Sequence, residues 1–393
     1  MTRVYLDNNA TTRVDSRVVE KMLPYFADAF GNASSTHLFG EEVSTAVREA
    51  RRAVQALVGA AHDNEIVFTS GGTESDNAAI LAGLAATEGR DEIVASAVEH
   101  PAILSLIEHL RDKQGVKIHI IGVDEFGRLD IDAYRAALGP KTALVSIMWA
   151  NNETGTLFPV AGLAELAHEA GALFHTDAVQ AVGKTPIDVK STKIDFLSLS
   201  AHKLHGPKGV GALYVRKGTK FSPLIRGGHQ ERTRRGGTEN IPGIVGLGMA
   251  AEIARAGLEE EAAQIGALRD RLESRILKEI GHCRVSGDLE SRLPNTANIA
   301  FFDIEGEAVL TNLNRAGIAA STGSACTAGS NEPSHVLKAM NVPARALQGA
   351  VRFSLSRDNS EADVDRVMEV LPGVVAKLRE MAQAVTETQP ALT

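Results

Sequence analysis

Between residues 65 and 217 the chain repeats one alternation: a short apolar run, a turn, a helical pattern, and another apolar run. The runs are "EIVFTS" (65 to 70), "EIVASAVE" (92 to 99), "KIHIIGV" (117 to 123), "ALVSIMWA" (143 to 150), "ALFHTDAV" (172 to 179) and "FLSLSAH" (196 to 202), separated by segments such as "AILSLIEHLRDKQG" and "VAGLAELAHEAG". Strand and helix in alternation predict an α/β fold, a mostly parallel sheet covered by helices on both faces. The two quoted helices end in Gly115 and Gly171, each followed at once by the next strand, which is the expected helix stop. "GALYVRK" (211 to 217) reads as a further strand, hairpinned to the one before it through the glycine-rich "HGPKGVG".

Around residues 248 to 280 the pattern changes to a charged, helix-forming run, "AAEIARAGLEEEAAQIGALRDRLESRILKEI". Its apolar positions recur at three and four, so one or two amphipathic helices are expected to link a large domain to a smaller one. Strands near "TANIAFFD" and "AVRFSLS", with helices near "GEAVLTNLNRAG" and 360 to 385, predict an α+β unit. The boundary is placed near residue 260, giving a large domain over 16–260 and a small domain from 1–15 and 261–393. The tail "TETQPALT" is expected to be disordered.

Composition narrows the function classes. With 393 residues and 44% hydrophobic side chains the chain has material for two or three domains, and its formal charge of -8 offers nothing to attract nucleic acid or anionic lipid. The N-terminus "MTRVYLDNNATT" lacks the basic and then apolar pattern of a secretory signal, and the longest apolar window, "IPGIVGLGMAAEIARAGL", is interrupted by Glu252 and Arg255. A cytoplasmic protein with no direct nucleic-acid or membrane partner is expected. Two cysteines, Cys283 and Cys326, exclude a disulfide framework and a four-thiolate metal site within one chain. Cys283 reads as a small half-buried residue at a strand start.

Three segments carry chemistry. "FTSGGTESDN" runs from strand to helix through Gly71, Gly72 and Thr73, an arrangement that offers backbone N–H groups and a hydroxyl to a phosphate. The same residues also make an ordinary glycine turn capped by Thr73 and Ser75, and they match neither the P-loop nor the dinucleotide fingerprint. "DFLSLSAHKLHGPKGVG" ends a strand in Ser200, His202 and Lys203. A lysine at the end of a buried strand either reaches past it to solvent or, desolvated, serves as the nucleophile of a Schiff base. "FHTDAVQAVG" places Asp177 and Gln180 at the end of the preceding strand, and adjacent parallel strands share one rim. A phosphate cradle, an aspartate and a lysine on that rim describe a site for pyridoxal 5′-phosphate. His175, His202, His205 and Asp177 offer a competing metal set, but their spacing fits no compact zinc motif, so no metal is expected. In "STGSACTAGSNEPSH" (321 to 335) Cys326 stands among small polar residues with little for a core to hold.

The chain resembles the NifS/IscS family of cysteine desulfurases, in the class V aminotransferase, fold type I group of pyridoxal phosphate enzymes. The likeness runs in order through "YLDNNATT", "GNASSTH", "SGGTESDN", "EHPA", "WANNETG", "HTDAVQAVGK", "SAHKLHGPKGVG", "RRGGTEN", "NTANIAF", "TGSACTAGS" and "VRFSLS". The resemblance implies a seven-stranded sheet in the large domain and a mobile loop, about 321–335, on the small one. It implies that Lys203 bonds the cofactor, Asp177 meets its pyridinium nitrogen, Gln180 lies near its phenolic oxygen and His100 stacks on its ring. Gly72, Thr73, Ser200 and His202 would hold the phosphate, and Thr238 would reach that of the neighbouring subunit in a homodimer. Asn152 and Arg352 match residues that grip the substrate carboxylate, although an arginine on a strand is also a common structural ion-pair partner. Cys326 matches the thiol that takes sulfur from L-cysteine as a persulfide, which a transaminase on the same fold would not require. The implied destination is a scaffold protein of iron–sulfur assembly, of the nitrogenase type, with housekeeping cluster assembly or transfer RNA thiolation as alternatives.

Overall fold

A computed structural model of the chain describes residues 3–322 and 333–388. Its strands are β1 (Val4–Tyr5), β2 (Ile66–Thr69), β3 (Glu92–Ser96), β4 (Lys117–Ile121), β5 (Thr142–Ser146), β6 (Leu173–Asp177), β7 (Phe196–Ser200), β8 (Gly211–Val215), β9 (Cys283–Val285), β10 (Thr296–Phe301), β11 (Ile318–Ala319) and β12 (Ala350–Ser354). Seven of them form one sheet in the order β2-β8-β7-β6-β5-β3-β4. The pairs from β7 to β4 are parallel, whereas β8 runs antiparallel to both β7 and β2. Every residue of β2, β5, β7 and β8 is buried, which is why these strands read as unbroken apolar runs rather than alternating ones. Because β8 reverses direction, the C-terminal ends of β2, β3, β5, β6 and β7 all open onto one rim, where ligands bind in open α/β sheets.

Gly115 and Gly171 stand in the left-handed region (φ 72° and 73°) just past the helices Pro101–Gln114 and Val160–Glu169, as their place in the sequence required.

The charged run after residue 240 forms a single helix, Ile241–Glu279, of 39 residues, about 58 Å long at 1.5 Å per residue. Its first part, through Ala254, packs into the core around the large sheet. Its last part, Ile265, Leu268, Leu272 and Ile276, packs into a second core with Val4, Leu6, β10, β12 and the helices Gly306–Arg315 and Glu361–Thr388. No residue between Ala254 and Ile265 is buried, so the helix bridges the two cores across a solvated stretch. The apolar first half satisfies the length and composition of a membrane span, but 61% of that window is buried inside the protein, where it serves as a core helix. In the second core β12, β10 and β9 form an antiparallel sheet, and β1 pairs with β11 in parallel. Cys283 opens β9 half-buried. The last helix runs to Thr388, three residues into the tail expected to be disordered.

Candidate active site

A cavity of about 320 Å³ opens at the rim formed by the strand ends. Ten of the twelve residues singled out in the sequence line it: Gly72, Thr73, His100, Asn152, Asp177, Gln180, Ser200, His202, Lys203 and Arg352. Thr238 is exposed and lies off this cavity, in the segment that precedes the helix Ile241–Glu279. Cys326 and most of the loop expected to move lie outside the described residues.

After β2 the chain turns at Gly71 (φ 155°), a conformation open to glycine, and starts the helix Gly72–Ala86. A Cβ at Gly211 would come within 2.7 Å of the Gly71 Cα, so a second glycine lets β8 lie against the turn. The turn presents the helix N-terminus to Ser200, at the end of β7. Glu74 accepts from the Ser70 N–H at 2.8 Å and pairs with Arg235, which fixes the turn from the outer side.

The turn after β7, Ala201–Lys203, brings His202 and Lys203 to the cavity. Lys203 Nζ donates to the carbonyls of Asn9 at 2.5 Å and Ala10 at 2.8 Å, so its ammonium is held by backbone of the N-terminal segment. His202 shares a 3.1 Å hydrogen bond with Thr11 Oγ1, and burial beside Lys203 pushes its pKa down to about 4. At neutral pH the ring is therefore neutral.

Asp177 ends β6, buried, with Oδ1 accepting from the Val179 N–H at 2.9 Å. Burial pushes its carboxyl up, while His100, the Val179 N–H and Lys203 oppose that. His100 caps the helix Pro101–Gln114: its Nδ1 accepts from the Ala102 N–H at 3.1 Å, which leaves the ring proton on Nε2. Burial holds its pKa below the usual value. Histidine is also an N-cap acceptor at His37, so the capping role is a general device of this chain.

Arg352 enters from β12, 1% exposed, and donates to the Asn152 carbonyl at 2.9 Å and to Asp7 Oδ1 at 2.8 Å. The structural ion pair and the place on the cavity wall thus coexist. Asn152 meets the arginine through its backbone carbonyl, which also accepts from Asn9 Nδ2 at 3.1 Å.

The sequence reading missed several wall residues. Asn9 joins Lys203, Gln180, Asn152 and Thr296. Asp76 and Glu153 are buried carboxyls on the wall, both pushed up chiefly by burial. His335 lines the cavity and bonds the Glu99 carbonyl at 3.0 Å. The alternative metal set does not assemble: His175 bridges Ser146 and Ser198, and His205 bonds the Arg13 carbonyl.

The donor set fits pyridoxal phosphate. An oxygen of Asp76 is buried without a hydrogen-bond partner beside the cavity, and the helix N-terminus at Gly72 and Thr73, with Ser200 and His202, offers donors for a phosphate. The carboxyl of Asp177 and the amine of Lys203 face the same space, as a pyridinium nitrogen and an aldehyde require.

Fold and site together define a pyridoxal phosphate-dependent enzyme of fold type I. The chain belongs to the class V aminotransferase family, whose pattern, Aminotransferase class-V, matches residues 4–367. It is 65% identical over 382 residues to a cysteine desulfurase of Gluconacetobacter diazotrophicus, covering 97% of this chain and 96% of that one. To a protein of Azotobacter vinelandii named cysteine desulfurase NifS it is 57% identical over 382 residues, covering 97% and 95%. A solved structure described as a NIFS-like protein superposes with a TM-score of 0.88 at 38% identity, covering 97% of this chain and 100% of that one. The chain is a class V enzyme of the cysteine desulfurase group.

Proposed function

We propose that this enzyme converts L-cysteine to L-alanine and leaves the sulfur on Cys326 as a persulfide. The observation that carries the reading is the cavity that joins Lys203, Asp177 and His100 to the buried guanidinium of Arg352. Pyridoxal phosphate, when bound, supplies the electron sink that makes the substrate carbon acidic. Lys203 would be the amine that holds it and would move the substrate Cα proton, and Asp177 would face its ring nitrogen. Gly72, Thr73, Ser200 and His202 would hold the phosphate, and Gln180 would donate to the phenolic oxygen. His100, carrying its proton on Nε2, exchanges it with the substrate during sulfur release. Arg352 and Asn152 orient the substrate carboxylate.

The reaction balances without an external oxidant. The Cβ–S bond of the substrate breaks, an S–S bond forms to Cys326, and the thiol hydrogen removed from Cys326 is matched by the hydrogen gained at Cβ. The sulfur is oxidised and the carbon reduced, and a later thiol acceptor removes the sulfur.

The enzyme acts as a homodimer in the cytoplasm. In support, Leu23, Phe26, Phe30, Leu38 and Phe39 stand 55% to 80% exposed around the first helices, far more than a lone surface apolar residue requires. Thr238 of each chain then serves the phosphate of its neighbour. The large unit spans 16–260 and the small unit 1–15 and 261–393, a division supported by the two cores joined through one helix. The likeness to a desulfurase named NifS supports delivery of sulfur to a scaffold protein for nitrogenase-type iron–sulfur clusters.

Purified enzyme mixed with L-cysteine and a reductant should release sulfide and alanine. Lys203→Ala should lose both the bound-cofactor absorption and sulfide, whereas Cys326→Ala should keep the absorption and lose sulfide. Full sulfide production by Cys326→Ala would sink the persulfide mechanism.

A further inference from the structure

The turn after β6 holds a second lysine on the far side of Gln180. Lys184 Nζ donates to Gln180 Oε1 at 2.8 Å. Gln180 Nε2 donates to the Asn9 carbonyl at 2.9 Å, the same carbonyl that accepts from Lys203. A glutamine amide has an oxygen end and a nitrogen end of nearly equal shape, and its partners decide which way it points. The Asn9 carbonyl only accepts, and Lys184 in its charged form only donates, so the two demand the same orientation. With Oε1 on Lys184 and one Nε2 proton on Asn9, the other Nε2 proton is available to the cavity that Gln180 lines.

Lys184 is an unusual choice for a structural contact. Among the described residues its hydrogen-bond partner is that amide oxygen, and no carboxylate pairs with it. A second, smaller cavity of about 30 Å³ lies beside it, lined also by Lys203, His205, Glu261 and Arg357. Burial, with the charges of Lys203 and Arg352, pushes the Lys184 pKa down to about 7. A lysine whose ammonium is that disfavoured is an expensive way to hold a loop, since a neutral side chain would pack there at lower cost.

We propose that Lys184 is a positioning residue for the cofactor: it locks the Gln180 amide so that an Nε2 proton faces the cavity and meets the phenolic oxygen of pyridoxal phosphate. This rests on the reading of Gln180 given under Proposed function. A donor at that oxygen stabilises its anionic form, so losing the donor makes the bound chromophore hold its proton to higher pH.

The test uses the holoenzyme and reads the midpoint of the pH titration of its visible absorption band. Gln180→Ala and Lys184→Met should each raise the midpoint by about one pH unit, the scale of one hydrogen bond to a charged group. Lys184→Arg, which keeps a cationic donor, should stay within about 0.3 units of wild type. In a Gln180→Ala background, Lys184→Met should add less than about 0.3 units, because a residue that acts through a partner is silent without it. An equal shift in both backgrounds would mean that the lysine acts directly through its charge, and the proposal would be wrong. No shift in Lys184→Met, with a shift in Gln180→Ala, would also overturn it. If Gln180→Ala itself leaves the band unmoved, the assignment of Gln180 fails first, and this proposal with it. Should Lys184→Met not retain cofactor, Lys184→Gln, which lacks the ammonium and its reach, gives the same comparison.

Discussion

Arg352 offers the sharpest test of how the site holds its substrate. Arg352 is 1% exposed and its guanidinium is bonded to Asp7 and to the Asn152 carbonyl, so two roles compete: an ion-pair partner that ties β12 to the N-terminal segment, or an anchor for the substrate carboxylate. Lysine in its place keeps a positive charge but loses the planar fork that meets a carboxylate with two parallel donors. One hydrogen bond to a charged group is worth about 1.5–3 kcal/mol, so Arg352→Lys should raise KM for L-cysteine roughly ten- to a hundredfold. Because the carboxylate is gripped equally before and during the reaction, kcat should change by less than about threefold. Asp7→Asn supplies the control: it removes the charge that competes for Arg352 while leaving the guanidinium in place. Asp7, with its side chain 21% exposed, is not sealed from water, so the variant should fold. Its KM should stay level or fall. The assay is alanine formation at varied L-cysteine and fixed reductant, with thermal melting to separate folding from binding. A KM for Arg352→Lys within twofold of wild type, or an equal rise in Asp7→Asn, would leave only the structural role.

Two further outcomes follow from the geometry. Burial pushes the Glu99 carboxyl up from its ordinary 4.5 to about 8, although Ser96 Oγ and the Met148 N–H donate to Oε1. A carboxyl raised in the folded state contributes stability that is full below about 4.5 and is lost as pH climbs toward 8. Glu99→Gln keeps an acceptor for both donors and cannot ionise, so its melting temperature should fall less than that of wild type between pH 5 and 9, by on the order of 5 °C. A parallel decline in both proteins would refute this. For Thr238, hybrid dimers can show which site it serves: a chain carrying both Lys203→Ala and Thr238→Val, paired with wild type, should lose cofactor from the wild-type Lys203 about tenfold more readily. Unchanged retention would assign Thr238 to its own chain or to neither.

What the sequence revealed depended on where the chemistry sits. Asp177 ends an apolar strand and Lys203 closes the short turn that follows one, where a charged side chain is conspicuous and where parallel strands bring their ends together. The reversal at β8 was legible too, because ten residues rich in glycine can close a hairpin but cannot hold a crossover helix. The grip on Lys203 was not, since the carbonyls of Asn9 and Ala10 do it, and every residue type carries that group. Nor could "VEH" or "SDN" announce that Glu99 and Asp76 are sealed from water, because an acidic residue next to a turn is ordinarily exposed. Lys184 followed a glycine in a turn and had the look of a surface residue. Its partner, Gln180, is four positions back, a neighbour only once the turn has folded.

The buried acids explain why such a cavity can accept an anionic cofactor and an anionic substrate together. The carboxyls of Asp76, Glu153 and Asp177 line it, with Glu99 next in the chain to the lining His100, and counted at their ordinary pKa values these four acids would outweigh the lining cations Lys203 and Arg352 together with nearby Lys184. Burial shifts that balance, pushing Asp76, Glu99 and Glu153 toward their neutral forms, while His100 and Lys203 draw Asp177 back toward its anion. Asp177 is the carboxyl that His100 and Lys203 oppose in its rise, so a cation placed beside it, such as the protonated ring nitrogen proposed above, would favour its anion further. The same balance sets a limit on the alkaline side. As pH rises past 8, Glu99 ionises and places a second negative charge near Asp177, so cofactor retention should weaken there in wild type and not in Glu99→Gln.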